Sequence, residues 1–274
     1  MNTKVLEPKR LWHLHKGDGP TVGLAVHAGH EVRPDLLPLM KMDEAARLRE
    51  EDPYTDHWTL ACHNQLLTRR SRFEVDLNRT PSEAICVQPE DCWNLDVWNR
   101  PVDEAVVSQS LAEHAAFYQA LHHLLAELQQ HYGRFVVFDF HSYNHRREGL
   151  ESPPADPTKN PEINIGTGTM DRVFWAPLID RFIKDVSDFD FRGRRLDIRE
   201  NVNFRGRYVA EYVHHYFPGK GCVLAIEVKK FFMNEWSGEA DEDQLGLLRR
   251  CLEFAIVGIC EELKTLESRG EQNG

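Results

Sequence analysis

The stretch Phe135-Val136-Val137-Phe138-Asp139-Phe140-His141 decides the fold. A short, almost unbroken apolar run bounded by a turn residue, here Gly133, belongs to a strand covered on both faces. Directly before it, Ala105, Val106, Leu111, Ala115, Phe117, Leu121, Leu124, Leu125 and Leu128 recur at helical spacing. That spacing predicts a helix over 103–132, stopped by Gly133. Two further runs repeat the strand pattern. Thr21-Val22-Gly23-Leu24-Ala25-Val26 ends at His27, and Val223-Leu224-Ala225-Ile226 ends at Glu227. Helices are expected over 170–188, 208–216 and 241–266, with a Pro- and Gly-rich loop over 148–169 and a loose polar tail over 268–274. Strands alternating with helices predict an α/β layered fold, a mostly parallel mixed sheet flanked by helices. No linker divides the chain, so a single domain over 1–274, with its core at about 20–266, is the expectation.

Composition narrows the function. The chain has 274 residues, with 33 basic against 44 acidic side chains and a net charge of −11. That balance argues against an extended nucleic-acid surface, though not against a local basic pocket for a small anion. No apolar run approaches the length of a membrane span. Met1 to Lys9 lack the apolar stretch of a secretory signal. The six cysteines (Cys62, Cys86, Cys92, Cys222, Cys251 and Cys260) form no CxxC pair. Reduced thiols and a cytoplasmic location follow as expectations.

Three buried strands ending in His27, His141 and Glu227 bring metal-type chemistry to one edge of a sheet. Ligands of open α/β sheets collect outside the carboxyl ends of the strands. A catalytic zinc takes three histidine or carboxylate ligands and keeps one position open. Ala28-Gly29 after His27 permits close backbone approach, and His30 and Glu31 stand near enough in sequence to compete as ligands. The main acidic cluster is Glu50-Glu51-Asp52-Pro53-Tyr54-Thr55-Asp56-His57. Pro53 at a helix start would make Asp52 an N-cap. Asp56, four residues on, shares that helix face without a capping duty, so Asp56 is the preferred carboxylate ligand and Asp52 the alternative.

The segment from Arg70 to Pro81 alternates polar and apolar residues, as an exposed or edge strand does. Its Arg72 and Arg79, like Arg205 in the turn from Asn203 to Tyr208, offer paired N–H donors to a substrate carboxylate, with surface ion pairs as the plainer alternative. Asp139 shares a strand face with His141 and is placed to orient its ring. Ser142 adjoins His141 too closely to be its nucleophile, and no G-x-S-x-G elbow exists, which argues against serine catalysis. Glu227 closes an apolar strand, where burial raises a carboxyl pKa towards that of a general base. Its plainer role is a pair with Lys229 or Lys230.

In order, His27-Ala28-Gly29, Asp52-Pro53-Tyr54-Thr55-Asp56, Val75-Asp76-Leu77-Asn78-Arg79, Asp139-Phe140-His141-Ser142, Asn203-Phe204-Arg205-Gly206 and Ile226-Glu227 resemble the N-formylglutamate amidohydrolase family over roughly 20–235. The resemblance implies a zinc-carboxypeptidase-like fold and a hydrolase of linear amides holding one zinc per chain. It implies His27 and His141 as ligands with a carboxylate from the Asp52–Asp56 segment. Glu227 would be the catalytic acid–base, while Arg79 and Arg205 look like anion-binding groups. We count Arg79 also with the catalytic residues, and Asn78, Arg72 and Ser142 with the substrate contacts. The expected substrate is a small anionic N-acyl amino acid such as N-formylglutamate. The rival readings are a zinc carboxypeptidase or amidase on a peptide or cell-wall fragment, and a non-catalytic binding protein with a degenerate site.

Overall fold

The computed structural model describes residues 11–271. The expectation for Met1 to Lys9 and the last three tail residues lie outside it. Seven strands form one mixed sheet in the order β1-β3-β2-β4-β7-β5-β6. They are β1 Trp12–His15, β2 Thr21–Ala25, β3 Asn64–Thr68, β4 Phe135–Tyr143, β5 Ile163–Gly166, β6 Ile198–Glu200 and β7 Gly221–Lys229. The central run β3-β2-β4-β7 is parallel, and antiparallel pairing enters at β1 against β3 and at β5 against β7. This is the expected layered α/β fold.

Alternate residues of the central strands serve two cores. Val136, Phe138, Phe140 and Leu224 pack with α4 (Ala176–Asp188) and α6 (Glu242–Glu271) on one face. Phe135, Val137 and Val223 pack with α3 (Glu104–Tyr132) and α5 (Tyr208–Tyr216) on the other. Period-two alternation therefore buries both faces, which is why these strands read as continuous apolar runs. Gly133, at φ 74, lets α3 turn directly into β4.

The structure departs from the sequence reading in several places. β4 and β7 run two residues beyond His141 and Glu227, which are register partners. Residues 148–169 contain β5, a four-residue strand. Residues 171–175 precede α4 as turns, because Asp171 Oδ1 accepts the Val173 and Phe174 N–H groups at 3.1 and 3.0 Å. α6 continues through Ser268 to Glu271, so that part of the tail is helical. Residues 71–81 are turns rather than an edge strand. There Phe73 points into a small satellite core while Val75 and Leu77 point into the α3/α5 core. The expectation of reduced thiols is corrected for one pair. Cys86 and Cys92 form a disulfide with Cα atoms 5.6 Å apart. Among the described residues no helix is long and apolar enough to cross a membrane.

Gly29 has a packing role rather than a ligand-facing one. A Cβ there would sit 2.4 Å from the Arg69 carbonyl carbon and 2.5 Å from the Arg70 oxygen. Gly29→Ala is expected to lose about 1–3 kcal/mol to overpacking against backbone that cannot rotate away. Thermal unfolding of the variant reads this, and an unchanged midpoint would mean the two loops separate freely.

Candidate metal centre and active-site cavity

The α1–α2 connection explains how a carboxylate reaches the strand ends. α1 (Glu44–Glu50) stops before Asp52, whose N–H donates to the His27 carbonyl at 3.0 Å. Tyr54 then takes a left-handed conformation, φ 68, and becomes the N-cap of α2 (Thr55–Thr59). Asp52 contributes only its carbonyl to that turn, accepting from Thr55 Oγ1 at 2.7 Å. Its carboxylate is free of capping duty and turns to the histidines.

His27 Nδ1, His141 Nδ1 and Asp52 Oδ2 converge on one point. Their separations are 3.3 Å from His27 to Asp52, 3.1 Å from His141 to Asp52 and 3.2 Å between the rings. Among the described residues they form the one group of at least three His, Cys, Asp or Glu side chains able to hold a metal ion, and all three are buried. Tetrahedral zinc with bonds of about 2.0–2.1 Å requires ligand separations of about 3.3 Å, so the donor set and spacing fit that ion. The far nitrogens are held from behind. Asp76 Oδ1 lies 2.7 Å from His27 Nε2, and Asp139 Oδ2 lies 2.9 Å from His141 Nε2. Such carboxylates fix ring orientation and leave the Nδ1 lone pairs facing inward.

Asp76 also accepts from Arg72 Nη2 at 2.8 Å and lies 3.3 Å from Arg79 Nε. It thereby ties a histidine to two guanidiniums. Burial alone would raise the Asp52 carboxyl, but His141, His27 and Arg72 hold it far below the carboxylate range. The same contest at Asp76 is won by Arg72 and His27. Burial would lower the His141 pKa, yet Asp139 and Asp52 raise it strongly. Glu227 stands beside His141 on the next strand, half-buried. Burial pushes its pKa up to about 7, with His141 opposing and Asp52 adding to the rise.

His27, Asp52, His141 and Glu227 line a cavity of about 230 Å³, together with Arg72, Asn78, Ser142 and residues that the sequence reading did not single out as site candidates, among them Trp93, Asn144, Arg147 and Arg207. Ser142 Oγ and Asn144 Oδ1 are buried there without a hydrogen-bond partner among the described residues. Asn78 is anchored by the Val209 N–H at 3.0 Å and sets its Nδ2 3.1 Å from His141 Nε2.

Other candidates lie elsewhere. Asp56 is half-buried in the first turn of α2, outside the group at the histidines. Arg79 is outside the cavity lining, bound to Asp76 and the Asp91 carbonyl. Arg205 is exposed and Arg207, two residues on, lines the cavity instead. His30 contacts Glu51 and Glu44, and Glu31 contacts Arg69, so neither joins the histidine pair.

A family model for N-formylglutamate amidohydrolase matches residues 19–233, most of the chain. The chain belongs to the N-formylglutamate amidohydrolase family. Membership makes it an amidohydrolase. Its fold is similar to that of an N-formylglutamate amidohydrolase from Ralstonia eutropha JMP134, at TM-score 0.75 and 18% identity over 93% of this chain and 99% of that one. It is also similar to a gene product of Agrobacterium tumefaciens, at TM-score 0.61 and 20% identity over 91% and 96% of the two chains. No curated protein matches.

Proposed function

We propose that this amidohydrolase is zinc-dependent and cleaves N-acyl amino acids, N-formylglutamate among them. The observation that supports the reading is the small cavity, about 230 Å³, in which three convergent ligand atoms, Glu227 and the three arginines Arg72, Arg147 and Arg207 meet. Sites for drug-sized small molecules and cofactors run from about 300 to 1,000 Å³. A cavity below that range suits an acylated amino acid better than a peptide or wall fragment.

His27, Asp52 and His141 would hold the ion. A bound zinc supplies Lewis acidity at the scissile amide. Glu227 takes a proton from the attacking water and returns it to the leaving amine nitrogen, a role for which a carboxyl near neutrality is suited. Asp76 holds the Arg72 guanidinium 4.0 Å from Asp52, where its N–H groups meet the carbonyl oxygen as charge develops. Arg207 and Arg147 at the cavity wall supply the cations for the carboxylates of the substrate.

The test is a panel of N-formyl and N-acetyl amino acids, each with its carboxamide twin, assayed on metal-stripped and zinc-restored enzyme. Activity should require zinc, and free acids should be cleaved at least about tenfold faster than amides, since a charged bidentate partner is lost in the amide. Arg207→Lys should narrow the difference. Equal rates for acids and amides would favour the carboxypeptidase or wall-amidase reading.

A further inference from the structure

The cavity wall formed by Trp93 has no role in the chemistry above, yet its geometry is costly. Trp93 sits in the left-handed region at φ 53, followed by Asn94 at φ 62. For a bulky aromatic residue this is a genuine backbone outlier, and such outliers gather where surrounding structure enforces them for function. The side chain is 47% exposed, so burial does not explain the placement. What it meets is charge. The guanidinium carbon of Arg72 lies 4.8 Å, and that of Arg79 4.7 Å, from the indole centroid.

The segment beneath is built to hold that ring. The Cys86–Cys92 disulfide closes the loop immediately before Trp93. Both cysteines are buried with Met40, Met42, Phe73 and Val97 in the satellite core. The Trp93 N–H donates to the Pro89 carbonyl, and the Asp91 carbonyl accepts from Arg79. Phe73 of that core is the neighbour of Arg72 in sequence, so the same cluster anchors the ring and one of the cations it covers.

We propose that Trp93 is a positioning residue that confines Arg72 and Arg79 against Asp76, and that the disulfide-closed loop exists to present it. Asp76 neutralises the guanidiniums from one side, and the indole face contains them from another by cation–π attraction. Confinement matters because two like charges held near one carboxylate repel, and an unconfined arginine loses its orientation towards substrate. The proposal rests on the reading of Arg72 as a substrate-facing cation.

Two measurements test it. The arginine Nε–H resonances of Arg72 and Arg79, identified by loss in Arg72→Lys and Arg79→Lys, should be ring-current shifted in the wild-type protein. They should move towards free-arginine positions in Trp93→Ala and recover in Trp93→Phe. Kinetically, Trp93→Ala should lower kcat for N-formylglutamate by about 5- to 20-fold with a smaller change in KM, and Trp93→Phe should stay within about threefold of wild type. A Cys86→Ser/Cys92→Ser double variant should shift both readouts in the same direction with zinc content unchanged. Unmoved arginine resonances in Trp93→Ala would overturn the proposal. If the wild type cleaves no N-acyl amino acid, the substrate reading falls while the resonance comparison still decides the role of Trp93.

Discussion

Replacing Glu227 by Gln should lower kcat by about 10² to 10⁴ while zinc content is retained. Glutamine keeps the shape and both polar atoms at the β7 position beside His141 but cannot carry a proton from water to the leaving nitrogen. The basic form of Glu227 grows as pH rises, so the acidic limb of the kcat/KM profile in wild type should vanish in the variant. Stability supplies an independent sign. Burial raises this carboxyl from 4.5 to about 7 in the folded chain, so the folded state binds the proton more tightly than the unfolded state. Metal-free wild type should therefore lose stability as pH climbs from 4.5 through about 7, and Glu227→Gln should be free of that loss. At pH 8 the metal-free variant should melt no lower than wild type. Unchanged turnover with a lowered melting temperature would make Glu227 a structural ion-pair member instead.

Legibility in the sequence followed the length of each signal. β4 and β7 each span nine residues, and the apolar runs within them are long enough to stand out. α3 carries its apolar stripe through eight turns of chain to Gly133, so its bounds were readable almost to the residue. β5 and β6 are four and three residues long, too short for periodicity to register, and β5 lies in a stretch rich in Pro and Gly. The alternation of residues 70–81 misled for a different reason. Its apolar side chains serve two separate cores, and a chain that turns between them mimics a strand in pattern alone. At the site, His27, His141 and Glu227 were visible because each follows or ends an apolar run. Arg207, Arg147 and Trp93 were not, because nothing local marks a side chain whose neighbours come from other segments. The spacing of Cys86 and Cys92 around a proline-containing turn was the available signal for the loop that carries Trp93. Arg205 and Arg207 differ by two residues in a turn, where no fixed periodicity says which one faces inward.

The structure brings Asp52 rather than Asp56 to the two histidines, and the choice of carboxylate carries a large expected effect. Ranking Asp56 above Asp52 assumed a helix starting at Pro53, with the two acids one turn apart on one face. The chain instead takes a left-handed step at Tyr54, so α2 begins at Thr55 and Asp52 lies outside it. Pinned by its amide to the His27 carbonyl, Asp52 brings Oδ2 within 3.3 Å of both Nδ1 atoms. Outer partners of a zinc ligand typically contribute 10- to 100-fold in affinity, and a ligand itself contributes more. Asp52→Ala, His27→Ala and His141→Ala should each weaken zinc binding by more than about 100-fold, Asp76→Asn by about 10- to 100-fold, and Asp56→Ala by less than about threefold. Chelator competition, with elemental analysis of the purified variants, measures the order directly. Zinc bound as tightly by Asp52→Ala as by wild type would remove Asp52 from the centre. Loss in Asp56→Ala alone would mean that the α1–α2 connection rearranges around the ion, bringing α2 to the histidines in place of the segment that precedes it.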